Sequence, residues 1–354
     1  MSEIAARSEL PPVTVPLPPP PTGTSWPTLA WATAEQQTGD RDRLASVLDR
    51  AFRVNPNPDL RLTRAFVAVQ GGRIVAERYS RSTRTRRRLI SWSMAKSMTH
   101  AALGILVRDG RIDLDARPVA PEWTDPSDPR HDIGLRDLLS MRSGLRFAED
   151  YVDADVSDCL EMLYGTGADD VAAHAAALPL DHPVDTVWNY SSGTTNIIAR
   201  AIGAVVGGGR EGMEAFLRDE LFDPIGMRSA EPRFDAVGTW VCSWYVFATA
   251  RDFARFGYLY LRDGVWDGRR ILPEGWVDDA RTPRSFDPEG GAFYGRHWWV
   301  RGDELGTFSA NGYEGQRTIV VPALDLVLVR LGETPIEHAP ALAEWLDDII
   351  ACFR

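Results

Sequence analysis

The segment SWSMAKSMTHAALGILVRDG, residues 91–110, decides how the rest of the chain is interpreted. Alanine, methionine and leucine dominate it and Gly110 supplies a stop, so it predicts a helix that begins at Ser93. Ser93 and Lys96 are three positions apart, which puts their side chains on the same face of that helix. A serine hydroxyl needs a neighbouring base to become a good nucleophile. The spacing therefore makes Ser93 a candidate nucleophile and Lys96 its candidate base.

Composition singles out Lys96 independently. The chain has 39 lysine and arginine residues, and Lys96 is the only lysine among them. Arginine cannot lose its proton in a protein, whereas a buried lysine can. Burial and the positive potential of the helix N-terminus are expected to lower the pKa of Lys96. A Schiff-base lysine, for instance with pyridoxal phosphate, is an alternative use of the same amine, although no phosphate cradle is recognisable in the sequence.

The elements on either side of this helix predict the fold class. A hairpin is predicted over residues 65–80, with Gly71-Gly72 as its turn, and a second over 318–331. The chain between them is mainly helical, and residues 336–353 form a closing amphipathic helix. Strands at both ends of the chain predict one antiparallel sheet flanked by helices, with an inserted all-helical domain, which is an α/β (α+β) fold.

The predicted domain boundaries follow from this order. Residues 1–37 are a proline-rich arm, which is expected to be extended along the surface of this chain or of a partner subunit, or disordered. Residues 38–92 and 231–354 form the sheet domain. Residues 93–230 form the helical domain, which carries Ser93, Lys96 and Tyr190.

Two further motifs accompany the serine–lysine pair. WNYSS covers residues 188–192, and the glycine-bearing SANGYEGQ covers 309–316. This order of three motifs resembles the β-lactamase-like serine hydrolases, which have a β-lactamase/transpeptidase-like fold. The family includes class C β-lactamases, family VIII carboxylesterases and 6-aminohexanoate-dimer hydrolases. The segment FAEDY at residues 147–151 is most similar to the last of these branches.

The resemblance implies a role for each matching residue. Ser93 would be acylated, and Lys96 would accept its proton. Tyr190 would pass a proton to the leaving group and then help water attack the acyl-enzyme. The backbone N–H groups of Ser93 and Tyr313 would form the oxyanion hole.

The same resemblance gives the candidate substrate-binding residues. Tyr151 matches a tyrosine that contacts the substrate amide in the nylon-oligomer branch, and Ser192 replaces an asparagine of class C enzymes. Asn311 and Gly312 belong to the third motif. Trp298 belongs to an aromatic cluster that lies either in the core or along the substrate cleft.

Two departures from the family pattern bear on activity. The Lys-Thr-Gly motif of true β-lactamases reads Ala310-Asn311-Gly312 here, so the cation that binds a penicillin carboxylate is missing. No acidic base for deacylation of the class A β-lactamase kind is evident in the sequence, which leaves Tyr190 for that step. The sequence therefore predicts a serine hydrolase for a small-molecule ester or linear amide. The alternative is a penicillin-sensor-like or degenerate binding protein that acylates without turnover.

Charge and composition exclude other classes of function. The net charge is −11, and nucleic-acid binding would need a basic surface. The three cysteines and six histidines show no metal-ligand spacing, and no cofactor is expected. Neither a signal sequence nor a transmembrane run is present, so a cytoplasmic protein without membrane contact is expected. A homodimer remains an open alternative.

Overall fold

An eight-stranded antiparallel sheet forms the centre of the molecule. The structure is a computed structural model, and it describes residues 10–13, 15–36, 38–54 and 56–354. The strands of the protein are β1 (Leu62–Gln70), β2 (Arg73–Tyr79), β3 (Leu89–Ile90), β4 (Glu231–Pro232), β5 (Val246–Ala248), β6 (Val265–Trp266), β7 (Arg269–Arg270), β8 (Ser285–Asp287), β9 (Ala292–Tyr294), β10 (Trp299–Val300), β11 (Phe308–Gly312), β12 (Gln316–Val321) and β13 (Leu326–Glu333). The order of strands in the central sheet is β2-β1-β13-β12-β11-β10-β9-β8, and β3, β5 and β4 form a second, small sheet.

Helices cover both faces of this sheet, and most of them come from the chain between strands β2 and β8. They are α1 (Arg41–Phe52), α2 (Met94–Arg108), α3 (Leu135–Leu139), α4 (Asp158–Tyr164), α5 (Val171–Ala177), α6 (Ser192–Val206), α7 (Gly209–Phe216), α8 (Ala250–Leu261), α9 (Trp276–Arg281) and α10 (Ala339–Ala351).

Both predicted hairpins are present, and they bring the two ends of the chain together. β1 and β2 are joined by Gly71 and Gly72, whose φ angles of +57° and +76° suit a tight hairpin turn. β12 and β13 form the second hairpin. Strand β1 also pairs with β13, so early and late segments share one sheet, as the sequence predicts.

Alternating side chains of the strands build a core on each face of the sheet. On β1, Val67 and Val69 face the core that contains α2 and α8, whereas Phe66 and Ala68 face the core under α1 and α10. The first core continues without a break into the helical segment, so the two predicted domains share one hydrophobic core. Helix α2 lies within it, with every residue from Met94 to Leu106 buried.

The described part of the proline-rich arm lies along helix α8 of the same chain. Arg255 donates from Nε to the Pro27 carbonyl oxygen at 2.8 Å. Arg262 donates from Nη1 to the carbonyl oxygens of Pro18 and Pro19, at 3.1 and 3.0 Å. Residues 1–9, which belong to the predicted arm, lie outside the described residues. Over the portion of the chain that is described, no helix is long and apolar enough to cross a membrane.

Candidate active site

A tight turn positions Ser93 at the start of α2. The buried Ser91 hydroxyl donates to the Trp244 carbonyl oxygen at 3.1 Å and accepts from the Val246 N–H at 3.0 Å, which holds the turn against β5. Trp92 adopts φ +46°, a left-handed conformation that costs a non-glycine residue on the order of 1 kcal/mol. Such strain is concentrated at functional sites, and here it directly precedes Ser93.

The Ser93 and Lys96 side chains meet as the helical spacing predicts. Lys96 donates from Nζ to Ser93 Oγ at 3.0 Å, to Ser192 Oγ at 2.9 Å and to the Ser243 carbonyl oxygen at 3.1 Å. Three acceptors match the three donors of an ammonium group. Ser93 makes no helix-capping bond with its hydroxyl, so Oγ stays available to Lys96.

The charge state of Lys96 differs from the sequence-based expectation. Burial disfavours its charged form, but the hydroxyl oxygen of Tyr190 and the carboxylate of Glu149 attract the ammonium, outweigh burial and raise the pKa of Lys96. The expected lowering of this pKa was therefore wrong, because the helix sequence contains no hint of those two neighbours.

Tyr190 lies beside this pair, just before helix α6. Asn189 holds the segment in place: its N–H donates to the Met141 carbonyl oxygen at 2.8 Å, and its Nδ2 donates to the Phe147 carbonyl oxygen at 3.0 Å. The Lys96 Nζ is 4.8 Å from the centre of the Tyr190 ring. Burial raises the pKa of the Tyr190 hydroxyl, although Lys96 opposes the shift, so the phenol stays protonated at neutral pH.

Glu149 is the residue that the sequence reasoning missed. Its carboxylate accepts from the Ser192 N–H at 2.6 Å, from the Ser192 hydroxyl at 2.5 Å and from the Tyr151 hydroxyl at 2.8 Å. The site thus contains an acidic group one hydroxyl away from Lys96. The available signal was its place in the FAEDY segment, two residues before Tyr151.

Two clusters of aromatic rings, called walls below, lie beside the Ser93–Lys96 pair: one contains Trp92, which precedes Ser93, and the other contains Tyr190, which lies against Lys96. One wall consists of Trp92, Tyr151, Trp244 and Tyr313, with Tyr151 and Tyr313 edge to face at 5.0 Å. The other wall consists of Trp188, Tyr190, Tyr294 and Trp299. The predicted residues Tyr151 and Tyr313 are therefore neighbours, although 162 positions separate them in the sequence.

The third motif approaches the turn that carries Ser93. A Cβ atom on Gly312 would lie 2.4 Å from the Ser91 carbonyl oxygen and 3.2 Å from Trp92 Cβ, so only glycine fits there. The Tyr313 ring contacts Trp92 with centroids 5.8 Å apart. Asn311 is on the same strand, opposite Arg317, and its Oδ1 is buried without a hydrogen-bond partner within the described residues.

Trp298 is not part of this cleft. It is fully buried in the core, where its ring packs against Tyr260 and Phe308 with centroids 4.3 and 5.1 Å away. The substrate-binding prediction for Trp298 was therefore wrong. Successive residues of extended chain point to opposite sides, and it is Trp299 that faces Tyr190, at 5.6 Å. The described ranges contain no group of three or more potential metal ligands.

Comparison with known proteins agrees with this architecture. The beta-lactamase family profile matches residues 61–350, so the chain belongs to the beta-lactamase family, and it is a serine hydrolase. A 6-aminohexanoate-dimer hydrolase of Paenarthrobacter ureafaciens is 28% identical over 308 residues, which cover 77% of this chain and 73% of that protein. The resemblance inferred from the three motifs is confirmed at the level of the family.

Solved structures share the fold at lower identity. A Bacillus anthracis protein, provisionally named a 6-aminohexanoate-dimer hydrolase, superposes with a TM-score of 0.74 at 23% identity, covering 97% of this chain and 91% of its own. A family VIII carboxylesterase superposes with a TM-score of 0.66 at 16% identity, covering 91% and 98%. The predicted β-lactamase/transpeptidase-like fold is confirmed.

Proposed function

We propose that this hydrolase forms an acyl-enzyme on Ser93 and acts on an ester or a linear amide. The observation that carries the proposal is the 3.0 Å contact between Lys96 Nζ and Ser93 Oγ at the start of a buried helix. The relative named a 6-aminohexanoate-dimer hydrolase supports a linear amide, and the structural neighbour named a carboxylesterase supports an ester.

In the first step, Ser93 Oγ bonds to the substrate carbonyl carbon while its proton passes to neutral Lys96. The carbonyl oxygen becomes an oxyanion, for which the N–H groups of Ser93 and Tyr313 are the proposed donors. One feature supports the first donor: no acceptor in the described part of the chain pairs with the Ser93 N–H. The N-terminus of α2 adds positive potential at the same point.

In the second step, Tyr190 gives its proton to the leaving oxygen or nitrogen as the tetrahedral intermediate collapses. The raised pKa of Tyr190 supports this role, because the phenol holds its proton until a stronger base develops next to it. Tyr190 regains a proton from Lys96. Water then attacks the acyl-enzyme, its proton passes through Tyr190 to neutral Lys96, and that proton returns to Ser93 Oγ as the carboxylic acid leaves.

The proposed substrate is linear rather than a penicillin. Ala310 stands where true β-lactamases have a lysine, so a substrate carboxylate lacks that cation. The two aromatic walls suit an apolar, extended chain. Tyr151, Ser192, Asn311 and Gly312 are the proposed substrate-binding residues.

Intact mass after treatment with a fluorophosphonate probe tests this function, with p-nitrophenyl butyrate and the linear dimer of 6-aminohexanoate as substrates. We expect one adduct and turnover in the wild type, and neither in Ser93→Ala. The matched control is Ser97→Ala, which removes another buried hydroxyl of α2 that donates to the His297 carbonyl oxygen. A wild type that is not labelled would overturn the proposal. An adduct that persists without turnover would instead favour the sensor-like alternative.

A further inference from the structure

The turn between strands β11 and β12 carries the proposed oxyanion donor, the Tyr313 N–H, and two side chains hold its backbone. Glu314 has φ +57°, a left-handed conformation that a non-glycine residue adopts only at a cost. Arg330 stabilises it by donating from Nη1 to the carbonyl oxygens of Glu314 and Gly315, both at 3.0 Å. Gln316 donates from Nε2 to the Tyr313 carbonyl oxygen at 2.9 Å. The turn is therefore fixed through its carbonyl groups.

Arg317 binds the peptide group to which the Tyr313 N–H belongs. It donates from Nη1 to the Gly312 carbonyl oxygen at 3.2 Å and to the Gln316 carbonyl oxygen at 2.9 Å. The Gly312 carbonyl and the Tyr313 N–H are the two ends of one planar peptide group. A hydrogen bond to the carbonyl end makes the N–H end a stronger donor, because successive hydrogen bonds polarise one another. A charged donor has a larger effect than a neutral one.

The positive charges at this turn are not balanced by carboxylates. Arg317 and Arg330 are directly opposite on strands β12 and β13, and like charges in that position destabilise a sheet. Within the described residues, the hydrogen bonds of both guanidinium groups go to carbonyl and hydroxyl oxygens and none goes to a carboxylate. Burial lowers the pKa of Arg317 to about 10, which leaves it charged at neutral pH. An unfavourable pair of charges thus lies at the turn where the proposed reaction develops an anion.

We propose that Arg317 is a positioning residue that strengthens the oxyanion hole through the Gly312–Tyr313 peptide group. This inference rests on the function proposed above. The guanidinium fixes the carbonyl end of the peptide, and its charge polarises the N–H end. Negative charge builds on the substrate oxygen as Ser93 Oγ bonds to the carbonyl carbon, so the polarised N–H contributes most in the transition state. Arg317 itself gives up no proton.

A purely structural role for Arg317 has to be separated from this one. Arg108 offers a matched comparison, since it also donates from Nη1 to two backbone carbonyl oxygens, those of Arg270 and Ile271, at 3.2 and 2.9 Å. It lies in the last turn of α2, at the end opposite to Ser93. Loss of the Arg108 guanidinium is therefore expected to affect stability and not the rate.

The test measures kcat and KM for p-nitrophenyl butyrate and the inhibition constant Ki of butylboronic acid in wild type, Arg317→Gln, Arg317→Lys and Arg108→Gln. A boronic acid that bonds to a serine oxygen becomes tetrahedral and negatively charged, so its Ki reports how well the site binds the transition state. Thermal unfolding of each variant reports its folding.

We expect Arg317→Gln to lower kcat about tenfold and to raise the Ki of butylboronic acid by the same factor. This is less than the loss of about 10²- to 10³-fold when an oxyanion donor is removed, because the N–H remains. KM should change less than about threefold, since the uncharged ground state gains little from the polarised N–H. Arg317→Lys keeps the charge and restores most of kcat and Ki, whereas Arg108→Gln leaves both at wild-type values.

Three results would overturn the role of Arg317. One is a wild-type kcat in Arg317→Gln. Another is a raised KM with unchanged kcat and Ki, which would show that the guanidinium contacts the substrate itself. The third is a lowered kcat with an unchanged Ki, which would place the loss outside the oxyanion hole. If Arg317→Gln does not fold, Arg317→Met, which keeps the aliphatic length, takes its place with the same expectations.

The same samples separate this inference from the proposed function. If the wild type is not labelled by the fluorophosphonate probe, the acyl-enzyme proposal itself has failed. If the wild type is labelled and turns over while Arg317→Gln keeps wild-type constants, only the role of Arg317 has failed.

Discussion

Replacing Gly312 by alanine tests whether the third motif has to lie against the turn that carries Ser93. The new Cβ would be 2.4 Å from the Ser91 carbonyl oxygen, about 1.0 Å short of the 3.4 Å at which ordinary contact begins. The clashing atom is backbone, and Ser91 is fixed by its bonds to Trp244 and Val246. Strand β11 therefore has to move away, and it carries the Tyr313 N–H with it.

The expected loss follows from that displacement. A misplacement of about 1 Å can cost about 10²-fold in rate, which is about 2.7 kcal/mol of transition-state stabilisation. Overpacking of this kind also lowers stability, typically by about 1–3 kcal/mol. We expect kcat to fall more than the affinity for substrate, because the oxyanion develops mainly in the transition state.

The assay compares initial rates and thermal unfolding of wild type, Gly312→Ala and Gly203→Ala. Gly203 is in helix α6, and a Cβ atom added there would meet no atom of the described residues within 4 Å. Its replacement should therefore leave the rate unchanged and slightly raise stability. Wild-type kcat and an unchanged melting temperature in Gly312→Ala would refute the close-packing argument and the oxyanion position derived from it.

Three further outcomes are expected. Lys96→Arg should lower kcat/KM by about 10²- to 10⁴-fold, because arginine keeps the charge but cannot deprotonate; retention of most activity would contradict a base at this position. Tyr190→Phe should lower turnover over the same range of about 10² to 10⁴, measured under saturating substrate, and an unchanged rate would remove Tyr190 from the mechanism. Burial lowers the pKa of His297 to about 3, whereas an unfolded histidine titrates near pH 6.5. The unfolded chain therefore binds the extra proton as the pH falls from about 6.5, and the free energy of unfolding should drop by up to about 1.4 kcal/mol per pH unit. Urea unfolding at pH 7.5 and 5.5 measures this, and equal midpoints would contradict it.

The parts of the fold that were predictable are those that local chemistry encodes. Gly71-Gly72 between two apolar runs specifies a hairpin, and the spacing of Ser93 and Lys96 on one helix specifies their contact. Local chemistry also fixes the start of helix α6 at Ser192, because the Ser191 side chain accepts from the Thr194 N–H and caps the helix.

The parts that were missed depend on contacts between distant segments. Glu149 reaches the first turn of α6 across 43 residues, and no local pattern distinguishes it from other loop carboxylates. Its charge, together with Tyr190, is also what reverses the expected pKa shift of Lys96. Trp298 and Trp299 are adjacent residues of the same type. Only the orientation of the extended chain at strand β10 decides that the Trp299 side chain, and not that of Trp298, points towards Tyr190.

The contacts between the proline-rich arm and helix α8 affect how the protein can be shortened. Composition suggests that a recombinant version could start at residue 38, yet the carbonyl oxygens of Pro18, Pro19 and Pro27 are acceptors for two buried arginines. The Arg262 side chain is fully buried, and truncation would leave its guanidinium with Asp325 as its remaining charged partner. Unmet buried donors cost about 1–3 kcal/mol each. A truncated protein is therefore expected to express poorly or aggregate, and library designs that trim low-complexity termini should retain this one.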